Sequence, residues 1–195
     1  MLEDPWADNA IGTCVDKGIL NGYEDGTLRP NGKVTRNEFA KMMVEGLNIP
    51  KRISTESSFS DITPWARDYV EAAKDYLSGY DEDGQQLFRG NDAAIREDMA
   101  AALVKALNLD ISEYDIDELA SIFSDWESIS PENMPYVLTA SKEHLINGYP
   151  GGWFGPGKTI TRAETAMMIT NVIKSEKMTK VLTADLLIAT PSSLQ

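Results

Sequence analysis

The sequence predicts a mostly α fold in which three helix–loop–helix repeats pack around one axis as a single body. Three observations carry this expectation. One ordered set of short motifs occurs three times along the 195 residues. In each copy, apolar residues recur at helical spacing on both sides of a Gly- and Asp-containing loop. Helix pairs this short cannot bury their apolar faces alone, whereas three pairs sharing a core can.

The first copy begins Asp4-Pro5-Trp6-Ala7, with Asp4 suited to an N-cap and Pro5 to the first helical position, where its missing N–H is harmless. Ala7, Ala10, Ile11, Cys14 and Val15 form the apolar stripe of this helix, which Gly18 and Gly22 end. Tyr23-Glu24-Asp25-Gly26 reads as a turn with brief extended flanks, Asp25 serving the turn. The second helix starts at Thr35-Arg36-Asn37-Glu38, a capping box in which Thr35 and Glu38 each satisfy a backbone donor. Phe39, Met42, Met43 and Leu47 are its apolar face.

The order returns in the second copy. Phe59-Ser60-Asp61 leads to Thr63, read as an N-cap, and then Pro64-Trp65-Ala66. Tyr69, Val70, Ala73 and Leu77 form the stripe, Gly79-Tyr80 follows, and Arg96-Glu97-Asp98 precedes Met99, Leu103 and Leu107. The third copy runs from Phe123-Ser124-Asp125 through Gly148-Tyr149 and Phe154-Gly155-Pro156 to a second capping box, Thr161-Arg162-Ala163-Glu164, in which Thr161 and Glu164 are the capping pair. Tyr23 to Thr35 and Tyr149 to Thr161 have equal spacing, and the second copy has three extra residues there. The repeats are assigned to 1–50, 57–110 and 121–178, with an acidic connector at 110–120 that suits a short helix and a tail or linker at 179–195.

Composition removes several function classes. A net charge of −13 argues against nucleic acid, whose binders need a basic face, and against an anionic membrane surface. No stretch approaches the ~20 apolar residues of a membrane helix, so no membrane insertion is expected. The start lacks the basic and apolar regions of a signal peptide. Cys14 is the single cysteine, which rules out an intrachain disulfide and suits a small core hydrophobe. The only histidine, His144, falls late in a first-type helix, on the surface, with no partner for a triad or zinc site. Asp81-Glu82-Asp83-Gly84 brings its glycine two positions early for an EF-hand loop, leaving Asp83 a turn residue. No catalysis, cofactor or metal is expected.

Phe-x-Asp, Pro-Trp-Ala, Gly-Tyr-x-Asp-Gly, Phe-x-Pro and Thr-Arg-Ala-Glu, in this order, resemble the S-layer homology domain. The copy at Thr161–Glu164 matches the family signature outright, and Thr35–Glu38 differs at one position. The resemblance implies a pseudo-threefold spindle around a central helical bundle, monomeric, with binding grooves between neighbouring repeats. It implies a secreted protein at the cell wall or S-layer that binds secondary cell-wall polysaccharide, often through a pyruvate ketal, with surface-layer or cellulosome proteins as further partners. Arg36, Arg96 and Arg162 are then the glycan-binding arginines. A helix N-terminus favours anions, and a guanidinium grips a carboxylate by two prongs. Trp6, Trp65, Tyr23, Tyr80 and Tyr149 are candidates for the sugar-facing wall. Other roles stand beside these: the tryptophans suit core packing, the tyrosines suit locking the turn, and the arginines suit pairing with an acidic neighbour.

The copies also depart from one another. Ile95 replaces the capping Thr and Asp98 the Glu; Glu132 falls where Trp is expected; Gly151-Gly152 replaces Asp-Gly; and the first copy lacks Phe-x-Asp. Unequal grooves are expected. The alternative function is a protein-interaction or self-assembly module with degenerate sugar sites.

Overall fold

The computed structural model describes residues 5–175 apart from 52, 54 and 55, and of Pro5 and Trp6 only the backbone. Asp4 and the tail at 179–195 therefore lie outside the described residues. The fold is mostly helical. The first-type helices of the three copies are α1 (Pro5–Asp16), α3 (Arg67–Ala73) and α6 (Met134–Lys142); the second-type helices are α2 (Arg36–Gly46), α4 (Arg96–Ala106) and α7 (Arg162–Lys174). A hairpin of β1 (Tyr80–Glu82) and β2 (Gln85–Leu87) forms the second loop, and α5 (Ile116–Ile122) occupies the acidic connector.

The helices pair between copies. α2 packs on α3, α4 on α6, and α7 on α1, so each second-type helix lies against the first-type helix of the next copy. This closes the chain into a ring and explains why one copy could not bury its own stripe. The backbone marks the axis. Val34 N–H donates to Ile160 C=O (3.0 Å), Ala94 N–H to Val34 C=O (2.8 Å), and Ile160 N–H to Ala94 C=O (3.1 Å). These three residues, each two positions before a second-type helix, are fully buried. One continuous apolar cluster, with Phe39, Phe88, Phe123, Phe154, Met43, Met99 and Leu103 among its members, draws on all three copies.

Phe-x-Asp has a defined task. Asp61 accepts from the N–H groups of Phe88 and Arg89, both at 2.7 Å, and Asp125 from those of Phe154 (2.6 Å) and Gly155 (2.7 Å). The paired rings, Phe59 with Phe88 and Phe123 with Phe154, sit 5.4 and 5.2 Å apart. Each motif thus fastens the loop of its own copy.

Four local expectations need correction. Thr63 makes no side-chain cap: a 3-10 turn at Pro64–Ala66 intervenes before α3, and the Thr63 hydroxyl instead accepts from Asn37 Nδ2 (3.3 Å). Val15 is 38% exposed, at the edge of its stripe. His144 is exposed but lies past the end of α6, at φ 56°, where the chain turns. The connector helix runs to Ile122, beyond residue 120, with Asp115 accepting from the Asp117 and Glu118 N–H groups as its cap.

Candidate functional site

Thr35 and Thr161 close capping boxes with Glu38 and Glu164, while Ile95 leaves α4 without a side-chain cap. The first two N–H groups of each second-type helix are taken by the neighbouring copy. Arg36 and Asn37 N–H donate to Asp92 and Gly90 C=O, Arg96 and Glu97 N–H to Lys158 and Pro156 C=O, and Arg162 and Ala163 N–H to Gly32 and Pro30 C=O. The expected anion site on free helix-end N–H groups is thereby corrected: those groups cement the ring.

The arginines that follow each cap are buried struts. Each crosses to the next copy and donates to the carbonyl just before its Gly-Tyr pair: Arg36 Nη2 to Ser78, Arg96 Nη2 to Asn147, Arg162 Nη2 to Asn21. Arg36 Nε and Arg162 Nε also donate to Phe88 (3.0 Å) and Leu28 (2.8 Å) C=O. Each guanidinium faces the tyrosine of that pair, at 5.0 Å from the Tyr80 ring centroid, 4.5 Å from Tyr149 and 4.8 Å from Tyr23. The carboxylate at the third helical position of the receiving copy completes the cluster. Asp98 lies 3.4 Å from Arg36, Glu164 3.9 Å from Arg96, and Glu38 3.8 Å from Arg162.

Three grooves result. The Tyr23 groove, about 220 Å³, is lined by Glu38, Lys41, Met42, Arg162 and Trp65. Trp65 is 52% exposed there, which overturns the reading that packs it in the core. The Tyr80 groove, about 340 Å³, carries Asp98, Lys105, Glu132 and Asn133. The Tyr149 groove, also about 340 Å³, carries Arg96, Glu164, Met167 and Asn171. The side chain of Trp6, expected in a wall, lies outside the described residues.

Electrostatics distinguish the grooves. Burial pushes the Asp98 carboxyl above its ordinary range, against the pull of Arg36. Burial alone would raise Glu164 too, but hydrogen bonds from Tyr149 and Thr161, with Arg96 beside it, outweigh this and hold it below the ordinary range. The Tyr149 phenol donates to Glu164, and burial with that bond pushes its pKa up to about 12. Burial pulls the Arg96 guanidinium down from its usual value.

A second cation, which the sequence reading does not pick out, also lies over each tyrosine ring. Arg29 lies 4.0 Å from the Tyr23 centroid, Arg89 4.5 Å from Tyr80, and Lys158 4.2 Å from Tyr149. The signal was Gly155, which stands where the other copies have Arg29 and Arg89. A Cβ there would sit 2.8 Å from the Trp153 ring and 3.0 Å from Lys158 Cδ, so the glycine makes room for the lysine to take the arginine's place. Among the described residues no group of histidine, cysteine, aspartate or glutamate side chains is arranged to hold a metal, and no helix is long and apolar enough to cross a membrane.

The S-layer homology domain family model matches residues 3–40 and 122–166. The chain is 34% identical over 176 residues to an amylopullulanase of Thermoanaerobacterium thermosulfurigenes, covering 89% of this chain and 9% of that protein. It is 33% identical to exoglucanase XynX of Acetivibrio thermocellus, covering 89% of this chain and 16% of that protein. Against S-layer protein EA1 of Bacillus anthracis it is 30% identical over 84% of this chain and 18% of that protein. The chain thus spans less than a fifth of each of these relatives, and two enzymes and a surface-layer protein have this segment in common.

Proposed function

The chain carries S-layer homology repeats, and from that premise we propose that it is a non-catalytic anchor holding a secreted protein on an anionic, pyruvylated cell-wall polysaccharide. The observation that carries this reading is the threefold recurrence of one groove chemistry: a buried Arg against a Tyr ring, with a carboxylate at its side. Such a groove offers an aromatic wall for a sugar ring and a cation for a ketal carboxylate. Arg36, Arg96 and Arg162 supply the cations, and Tyr23 and Tyr149, with Trp65 and Trp6, supply wall area. That two different enzymes and a surface-layer protein share this segment supports a common task separate from their chemistry. The repeats span 1–50, 57–110 and 121–178, and the anchor works as a monomer because its ring is closed within one chain.

The test is calorimetric titration with a pyruvate-ketal wall disaccharide, beside the same sugar without the ketal. Saturable binding that requires the ketal is expected. Binding to neither sugar, together with capture of surface-layer proteins from wall stripped of polysaccharide, would replace the anchor with a protein-interaction module.

A further inference from the structure

Asn-Gly occurs at Asn21-Gly22, Asn31-Gly32 and Asn147-Gly148. In this dipeptide the glycine nitrogen can fold back onto the asparagine side-chain amide, because no Cβ stands in its way. The fold treats the three copies differently. At Asn31-Gly32 the Gly32 N–H donates to Arg29 C=O at 2.9 Å, and the Gly32 C=O accepts from Arg162 N–H at 2.9 Å, so both backbone groups of that glycine are committed.

The other two pairs join a first-type helix to its loop. Leu20 and Tyr23 N–H donate to Cys14 and Thr27 C=O, and Ile146 and Tyr149 N–H to Ala140 and Trp153 C=O. Between these bonds, the Gly22 and Gly148 N–H groups and the exposed Asn21 and Asn147 side chains make no hydrogen bond among the described residues. The backbone of each pair has one hold, on the asparagine C=O, which accepts from Arg162 Nη2 at 2.6 Å in the first and from Arg96 Nη2 in the second. When the glycine nitrogen gives up its proton, the charge spreads through the peptide bond to this same oxygen. A buried guanidinium already donating to it stabilises that charge where it develops.

We propose that Asn21 and Asn147 are sites of spontaneous conversion to isoaspartate, promoted by Arg162 and Arg96, and that Asn31 is protected. The glycine nitrogen loses its proton to solvent base and forms a bond to asparagine Cγ. The Cγ–Nδ2 bond breaks, the nitrogen leaves as ammonia, and a cyclic imide closes. Water then opens the imide at the former main-chain carbonyl, the one the arginine polarises. The main chain now runs through the side chain, one carbon longer, and a carboxylate stands where the strut had a neutral acceptor. Two of the three junctions of the ring thus age. At the third, Arg36 meets Ser78, which has no side-chain amide to lose. Gly22 has room to move, since a Cβ there would find its nearest neighbour at 3.4 Å, whereas one on Gly148 would meet Phe123 at 2.8 Å, so Asn21 converts first. The site stands whether or not the grooves take a glycan.

The experiment holds the whole chain in mildly alkaline buffer, folded and in guanidinium chloride, and follows the three asparagines by peptide mapping that resolves isoaspartate from aspartate. Unfolded, the three are expected to convert at similar rates. Folded, Asn21 is expected to convert at least as fast as unfolded, Asn147 more slowly than Asn21, and Asn31 tenfold or more slowly than either, with isoaspartate the main product. Gly22→Ala, which meets no clash, is expected to slow Asn21 about tenfold and leave Asn147 unchanged, because the Cβ hinders ring closure. Asn31 keeping pace with Asn21 and Asn147 in the folded ring overturns the assignment. Asn21 converting more slowly folded than unfolded overturns the arginine's part in it. A parent rate at Asn21 in Gly22→Ala overturns the imide route.

Discussion

The glycine of each Gly-Tyr pair offers a test of the ring architecture with a control built into the same chain. A Cβ on Gly79 would run into the Phe59 ring and lie 2.6 Å from Leu87 C=O. On Gly148 it would meet Phe123 Cε1 at 2.8 Å and Trp153 C=O at 3.1 Å. On Gly22 the nearest atoms are Thr27 C=O at 3.4 Å and Leu28 Cδ2 at 3.6 Å, ordinary contacts. The ring that crowds the first two comes from Phe-x-Asp, the motif the first copy lacks. Overpacking against a backbone that cannot retreat costs ~1–3 kcal/mol. Gly79→Ala falls at the upper end and Gly148→Ala in the middle. Gly22→Ala has no clash to offset the ~0.4–1 kcal/mol gained by restricting the unfolded chain. For a chain of this size about 1 kcal/mol moves the midpoint by ~2–4 °C. Gly79→Ala should therefore melt ~6–12 °C below the parent, Gly148→Ala between them, and Gly22→Ala at or slightly above it. Circular dichroism melts give the order directly. A loss in Gly22→Ala equal to that in Gly79→Ala would refute the claim that the aromatic of Phe-x-Asp dictates the glycine.

Three further outcomes follow from named contacts. Ile95→Thr gives α4 the side-chain cap that α2 and α7 have, and should raise stability by ~0.5–1.5 kcal/mol in urea unfolding. Glu71 is buried and accepts from the Ser58 backbone, the Ser57 and Ser58 hydroxyls and Lys74; burial alone would raise its pKa, but these bonds hold it below the ordinary value of 4.5. A depressed folded pKa stabilises above the ordinary value and loses that stabilisation as pH falls through the depressed one, so Glu71→Gln should cost ~1.5–3 kcal/mol at pH 7, a gap that narrows in denaturation series run below 4.5. Because a chain of net charge −13 repels an anionic polymer at long range, wall-glycan affinity should hold or rise as salt shortens the screening length toward ~10 Å at ~0.1 M; a steep fall would mean bulk attraction instead.

Periodicity and local chemistry made the elements legible. Thr35 and Thr161 announced their helices because a capping box is complete within four residues, and Gly-Tyr with its following turn announced the loop. Helical spacing marks a buried face without saying what buries it, so nothing in the stripe of Phe39 and Met42 could reveal that α2 lies on the next copy's α3. The helix N-termini were misread for the same reason. Their N–H groups looked available because the carbonyls that take them, such as Gly32 and Pro30 for α7, sit some 130 residues away in sequence. Lys158 escaped notice because aligned positions set Gly155, not a cation, against Arg29 and Arg89. Only the folded chain shows a side chain three residues on reaching the same ring.

The arginines explain how such a ring can keep its signature while its grooves diverge. Each donates to the carbonyl that precedes the next copy's Gly-Tyr pair, a bond that joins two copies whatever the groove beside it binds. Removing any of the three would take that bond out of a junction of the ring, and Arg36 also holds the carbonyl of buried Phe88, so the fold alone is reason enough to retain it. Free of that duty, the residues around it can change. Asp98 in place of Glu draws Arg36 into a hydrogen bond, and Glu132 adds a negative charge to the wall where the Tyr23 groove has Trp65, yet the strut still stands. The Thr-Arg-x-Glu signature therefore marks where one repeat is fastened to the next.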